Sequence, residues 1–213
     1  MRDVTPPDCS VSLQLEVFSD YVCPWCYLGS ARVSRLQEDW EIDVRIVHFP
    51  LHLETPEEGQ SLQQLFAGRN VDVEQMQERM AMVMRAEGLK YGERSMTYNS
   101  HRAQQLASWA VGQDGGEAIH PALFVAYFVE NVNLASIDNL VAIAAGIGLD
   151  ADRAGDILRS RRYREAVSAD WERSRRLGVT GVPTYRVGGA EAVGAQPYEV
   201  LAKLVQEAGA KRR

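Results

Sequence analysis

Residues 13 to 18, LQLEVF, alternate large apolar and polar side chains before becoming wholly apolar, which predicts a strand of about six residues. From Cys26 the stretch YLGSARVSRLQEDW places Leu28, Val33, Leu36 and Trp40 at near-helical spacing, so a helix follows almost at once. A β-rich run, IDVRIVHF from Ile42 to Phe49, comes after a short polar turn and is closed by Pro50. Strand, helix and strand in succession make a βαβ unit, whose crossover favours parallel strands.

From Glu54 to Arg176 the alternation gives way to helix-forming residues, and about five helices are expected. Asp72 caps one that runs to Gly88 with Met76, Met80, Val83 and Met84 along one face, and Ser100 caps another through Leu106 and Trp109. Pro121 opens a third containing Phe124, Tyr127 and Phe128, and Ser136 and Asp150 suit the caps of two more. A long charged helix from about Tyr163 ends at Gly178. Strand character returns from Thr184 to Val187, turns at Gly188-Gly189 and resumes from Glu191 to Val193, before Pro197 opens a last helix to Ala208. The order is βαβ, an all-helical block, then ββα.

Composition narrows the function more than the fold. The 213 residues are 46% hydrophobic and 24% charged, an ordinary globular balance with a sizeable core. A net charge of −6 disfavours nucleic acid, because phosphate binding needs clustered Lys and Arg. The longest apolar stretch, around Leu140 to Leu149, is far short of the roughly 20 residues a membrane-spanning helix needs, so no membrane is expected. The opening MRDVTPPDCS has no apolar segment behind Arg2, so no export signal is expected. Three cysteines without such a signal favour a reducing, cytoplasmic compartment in which any disulfide is transient.

The chemistry concentrates in DYVCPWCYLG, residues 20 to 29, where two cysteines sit between a strand and a helix. Free N–H groups and the positive end of the helix dipole favour a thiolate at Cys23, the species that attacks disulfides. Cys26, one turn on, is placed to displace a substrate from Cys23 and close a Cys23–Cys26 disulfide. Pro24 stiffens the turn between them, and Trp25 offers an aromatic face to a substrate. Buried structural cysteines and a zinc site are the competing readings. Zinc needs about four ligands, and neither Cys9 nor His48, His52, His101 and His120 supplies the spacing. In GVTGVPTYRV, residues 178 to 187, Pro183 must sit at an edge or at the first position of its strand. A trans bond is the general preference there, whereas a cis bond would bring the backbone of Val182 beside the cysteines.

These residues together resemble the DsbA family: an α/β, thioredoxin-like fold with a large all-helical insertion domain, over nearly the entire chain. SDYVCPWCYLG, FPLHLETPEEG, TYNSHRAQQLA, YREAVSADWERSRRLGVTGVP and VGAQPYEVL more narrowly resemble its cytoplasmic FrnE-like branch, whose members act as disulfide oxidoreductases or isomerases. The resemblance implies a discontinuous thioredoxin-like domain of residues 12–52 and 165–210 around a helical insertion at 53–164. It also implies Cys23 as nucleophile, Cys26 as resolving thiol and a cis Pro183 preceded by Val182. The fold is shared with 2-hydroxychromene-2-carboxylate isomerases and kappa-class glutathione transferases, in which a serine commonly replaces the first cysteine. A glutathione-dependent isomerase or transferase acting on an aromatic small molecule is therefore the alternative to a thiol-disulfide oxidoreductase/isomerase.

Secondary candidates have plainer alternatives beside them. Glu16 on the first strand is a possible proton acceptor for Cys26, as an acidic residue is in thioredoxin-like enzymes, or else a partly exposed strand residue. Asp20 reads as a turn or cap residue. The methionines between 76 and 84 read as a core stripe, with Met82 off the stripe and suggestive of a groove. Asn99 and His101 read as a cap and a surface histidine. The arginines from Arg159 to Arg176 read as a solvated face with Arg161–Glu165 and Glu172–Arg176 pairs. No tightly bound cofactor or metal is expected, glutathione or another small thiol serves as co-substrate, and the partners are thiol- or disulfide-bearing proteins or small molecules. The chain is expected to be a monomer or homodimer.

Overall fold

The computed structural model describes residues 12–213; Cys9 lies outside the described residues. Strand β1 (Leu13–Ser19) runs parallel to β2 (Ile42–His48), with helix α1 (Pro24–Asp39) as the crossover. After the helical block the chain returns as β5 (Thr184–Val187), which pairs antiparallel with β1, and β6 (Ala190–Val193), which pairs with β5. The sheet order is β2-β1-β5-β6. Gly188 and Gly189, with φ of 54° and 87°, make the tight turn between β5 and β6, a conformation that glycine adopts without strain.

Side chains alternate across β1, and the two faces do different jobs. Leu15 and Val17 face α1 and the last helix, α9 (Tyr198–Glu207), in a cluster with Val33, Leu36, Tyr185, Leu201 and Val205. Phe18 points the other way, into a cluster with Val47 and Val179. Leu15, Leu36, Leu201 and Val205 are fully buried, and each such side chain contributes about 1.5–3 kcal/mol. This packing fixes α1 on one face of the sheet, with its N-terminus at the end of β1.

The block between β2 and β5 holds α2 (Leu62–Leu65), α3 (Val73–Ala86), α4 (His101–Ala110), α5 (Ile119–Phe128), α6 (Ile137–Gly146), α7 (Ala151–Ser160) and α8 (Arg164–Arg176). Asp72, Ser136 and Asp150 each accept a backbone N–H three residues on, as the capping pattern predicts.

Other details differ from expectation. The block is not all helical: Gln60–Ser61 (β3) and Met96–Thr97 (β4) form a two-residue ladder, too short to leave a period in the sequence. Ser100 precedes α4 in a helical conformation, so its hydroxyl does not cap; the Asn99 side chain accepts the His101 N–H instead. Helix α5 begins two residues before Pro121, which still lies in the first turn. Arg161 stands between α7 and α8 at φ 52°, so no pair with Glu165 forms, whereas Glu172–Arg176 do meet at 3.9 Å. Among the described residues, no helix is long and apolar enough to cross a membrane.

Candidate active site

The turn between β1 and α1 is built by Asp20. Its backbone carbonyl accepts the Cys23 N–H at 3.1 Å, and its carboxylate accepts from Val22 N at 3.2 Å and Leu51 N at 3.0 Å. The fully buried carboxyl has its pKa raised by desolvation, against the pull of the Leu51 N–H and of the Ser100 side chain. Asp20 thus ties the loop after β2 to the mouth of α1, a turn residue as expected.

Cys23 is the N-cap of α1, with φ −91° and ψ 114°; its carbonyl accepts the N–H groups of Cys26 at 3.0 Å and Tyr27 at 3.2 Å. Its sulfur therefore stands at the positive end of the helix, and Pro24 follows at the first position, where a missing N–H costs nothing. Both cysteines are free, and their side chains lie close to each other. Cys26 is buried in the core, and burial pushes its thiol pKa well up, with the neighbouring Cys23 sulfur adding to the effect.

The loop before β5 closes over the pair. The Cys23 sulfur lies 3.6 Å from the Val182 carbonyl oxygen and donates to it; the Val182–Pro183 peptide is cis, and Pro183 immediately precedes β5. Although Cys23 as a residue is only 3% exposed, it forms part of the wall of an open cleft of about 1010 Å³ together with Pro24, Trp25 and Val182. Trp25, at 44% exposure, stands at its rim. The structure thus brings Cys23, Cys26, Pro24, Trp25, Val182 and Pro183 into one place.

Glu16 is not part of that group. Strand alternation puts it on the side of β1 opposite α1, where Arg173 of α8 holds its carboxylate with hydrogen bonds of 3.1 and 2.7 Å and Arg45 approaches at 3.7 Å. It is an ion-pair residue between sheet and α8, and Arg173 is correspondingly not on a purely solvated face. His101 is not a surface residue either: it is half-buried with its ring 4.8 Å from that of Trp171, and its Nε2 is buried without a partner. The methionines divide. Met80 and Met84 are buried in the core as expected, with Met80 also reaching the cleft wall, whereas Met76 and the exposed Met82 line the cleft. Among the described residues, no group of three or more His, Cys, Asp and Glu side chains is arranged to hold a metal ion.

Two residues near the cysteines escaped the sequence reading. Gly29, one turn beyond Cys26, packs so closely under β5 that a Cβ there would lie 2.2 Å from Tyr185 Oη but 3.5 Å from its Cζ. Gly29→Ala is therefore expected to destabilise the protein by about 1–3 kcal/mol in urea unfolding. Adding Tyr185→Phe should recover most of the loss, because the hydroxyl alone makes the clash. An uncorrected loss in the double variant would place the strain elsewhere.

The same fold is found in known proteins. A probable DsbA oxidoreductase from Streptomyces coelicolor is 28% identical, with a TM-score of 0.85 over 92% of this chain and 89% of that one. A 2-hydroxychromene-2-carboxylate isomerase shares the fold at 17% identity, with a TM-score of 0.73 over 91% of this chain and 95% of that one. So does the cytosolic disulfide reductase DsbM from Pseudomonas aeruginosa, seen with glutathione, at 19% identity and a TM-score of 0.66 over 91% and 95% of the two chains. The family model described as DSBA-like thioredoxin domain matches residues 14–206, from the first strand to the last helix. With its sheet, its helical insertion and nearly its whole length inside that match, this chain belongs to the DSBA-like thioredoxin-domain family.

Proposed function

We propose that this protein is a thiol-disulfide oxidoreductase in which Cys23 is the nucleophile and Cys26 the resolving thiol. The observation that carries the reading is the Cys23 sulfur at the N-terminus of α1, against the Val182 carbonyl and on the wall of an open cleft. The Cys23 thiolate attacks one sulfur of a substrate disulfide, the substrate S–S bond breaks, and the departing thiolate takes a proton. Cys26 then gives up its proton and attacks the Cys23 sulfur. The mixed disulfide breaks, the second substrate thiol leaves, and the protein retains a Cys23–Cys26 disulfide. Two electrons have passed to the substrate, and glutathione or another small thiol restores the dithiol; the reverse sequence oxidises a substrate.

The burial of Cys26 suits its role, since a thiol kept protonated does not compete for the incoming disulfide. Residues 12–52 and 165–210 would carry the redox work and residues 53–164 the far wall of the cleft, in the cytoplasm and without a tightly bound cofactor. Cys26→Ser tests the two-step scheme: challenged with oxidised glutathione, it should accumulate a stable Cys23–glutathione adduct, while the wild type passes through to the internal disulfide. Equal adduct yields in both, read by intact mass, would refute a resolving role for Cys26.

The size of the cleft favours a second reading, a glutathione-dependent isomerase or transferase acting on an aromatic small molecule. Turnover of such a compound that survives replacement of both cysteines would select it.

A further inference from the structure

The cleft beside Cys23 contains a charge that the protein itself does not neutralise. Its walls are apolar: Leu62, Phe66, Met76 and Met80 line it, and Val71 and Met82 leave 40% and 57% of their surface exposed at its edge. Among these side chains lies Arg94. Its guanidinium carbon is 4.7 Å from the Phe128 ring centroid and 4.8 Å from that of Tyr127, and its Nη2 donates to Tyr91 Oη at 3.2 Å. Its Nε is buried without a partner, and among the described residues no carboxylate lies within 4.0 Å of it. The acidic side chain on the cleft wall, Asp72, is occupied in capping α3.

Aromatic faces offset part of the desolvation of a guanidinium but supply no counter-charge. An anion arriving there would gain a planar, two-pronged donor in surroundings of low dielectric. We propose that the cleft binds a small amphipathic carboxylate carrying a thiol or disulfide, its apolar body against the methionines and Phe66, its carboxylate at Arg94 and its sulfur at Cys23. This inference rests on the thiol-disulfide reading and adds the substrate class. The volume of about 1010 Å³ matches the upper range of small-molecule sites.

Two aromatic disulfides of similar size test it with the fully reduced protein: dithiobis-nitrobenzoate, which carries a carboxylate on each ring, and neutral dithiodipyridine. Arg94→Gln should slow reduction of the first by roughly tenfold at sub-saturating concentration, the worth of one charge-assisted pair, and leave the second within about twofold. Arg94→Lys should retain part of the preference. Arg79→Gln, at an exposed residue on the same cleft, should leave the ratio of rates unchanged. Equal slowing of both disulfides would mean that Arg94 only holds the fold, and an equal effect from Arg79→Gln would mean long-range steering; either overturns the proposal. If wild-type protein reduced neither disulfide while Cys23 remained open to alkylation, the thiol-disulfide reading itself would fall, a result distinct from the loss of preference.

A second inference stands on the sheet register. The strand face that looks at α1 carries Leu15 and Val17, with no carboxylate to serve Cys26. Directly across from Val17 in the β1–β5 pairing is Tyr185, whose hydroxyl is buried, has no hydrogen-bond partner and projects over Gly29, one turn from Cys26. We infer that Tyr185 is the positioning residue for the resolving step, donating its O–H to the Cys26 sulfur as the thiolate forms while the Cys26 proton leaves to the departing substrate. Burial holds the phenol well above its ordinary range, and a thiolate forming at Cys26 would raise it further, so Tyr185 acts as a donor and keeps its own proton.

Tyr185→Phe separates this from a packing role. Deleting an unpartnered buried hydroxyl should leave the melting temperature unchanged or higher. Release of thiol from the Cys23 mixed disulfide should slow severalfold at neutral pH, with its pH profile moved upward. A fall in melting temperature with an unmoved pH profile would overturn the inference, as would no change in either.

Discussion

Cys23→Ser is expected to abolish thiol-disulfide exchange, lowering the rate of glutathione-coupled peptide disulfide reduction by at least roughly a thousandfold. A serine hydroxyl at a helix N-terminus is not ionised at neutral pH and cannot form the mixed disulfide with which the reaction begins. The loss should not come from unfolding. Serine is close to cysteine in size, suits an N-cap, and can still donate to the Val182 carbonyl, so the urea midpoint should shift by no more than about 1 kcal/mol of stability. Cys26→Ser differs in kind, because it permits the first attack and blocks the second. Wild-type exchange by Cys23→Ser would remove the nucleophile from its assigned position.

Acidification is expected to destabilise the fold well before most carboxylates titrate. His48 and His120 are buried neutral, and desolvation lowers their pKa values from 6.5 to about 3 and about 4. His120 Nδ1 is hydrogen-bonded with Tyr21 Oη at 2.7 Å, while His48 Nδ1 is buried without a partner. In the unfolded chain both imidazoles protonate near 6.5, so between that pH and about 4 the unfolded state binds more protons. Stability therefore falls as pH falls, by about 1.4 kcal/mol per pH unit per histidine, several kcal/mol across the window. Asp20 acts in the opposite sense, since its raised pKa favours the folded state on protonation, and offsets the lower part of the window. Urea midpoints at pH 7 and pH 4.5 check the sign: a clear drop is expected, and an unchanged midpoint would mean that the histidines are solvated.

The sequence pattern was informative where a repeat or a special residue imposed it. Alternation in LQLEVF and the apolar spacing after Cys26 located β1, α1 and the cysteine turn, and Asp72, Ser136 and Asp150 marked helix starts because their side chains replace missing backbone partners. Pro183 could be placed before a strand because it cannot donate to one. What escaped depended on contacts distant in sequence. Glu16 differs from Val17 only in strand parity, yet that parity sends it to Arg173 and leaves Val17 facing α1. Arg94, in the loop between α3 and β4, acquires its setting from Tyr127 and Phe128 of α5, more than 30 residues away. Tyr185 becomes notable only because Gly29 leaves space for its hydroxyl. The β3–β4 ladder is too short for any period to register.

In the proposed mechanism the Cys23 sulfur at the helix tip and the buried Cys26 thiol exchange a pair of electrons with substrate. Equilibration with graded ratios of reduced to oxidised glutathione, followed by alkylation and intact mass, tests it directly. A single two-electron transition is expected, in which Cys23 and Cys26 together lose reactivity and the protein becomes two hydrogens lighter. Two thiols that stay alkylable across the whole series, or independent glutathione adducts with no internal disulfide, would contradict it.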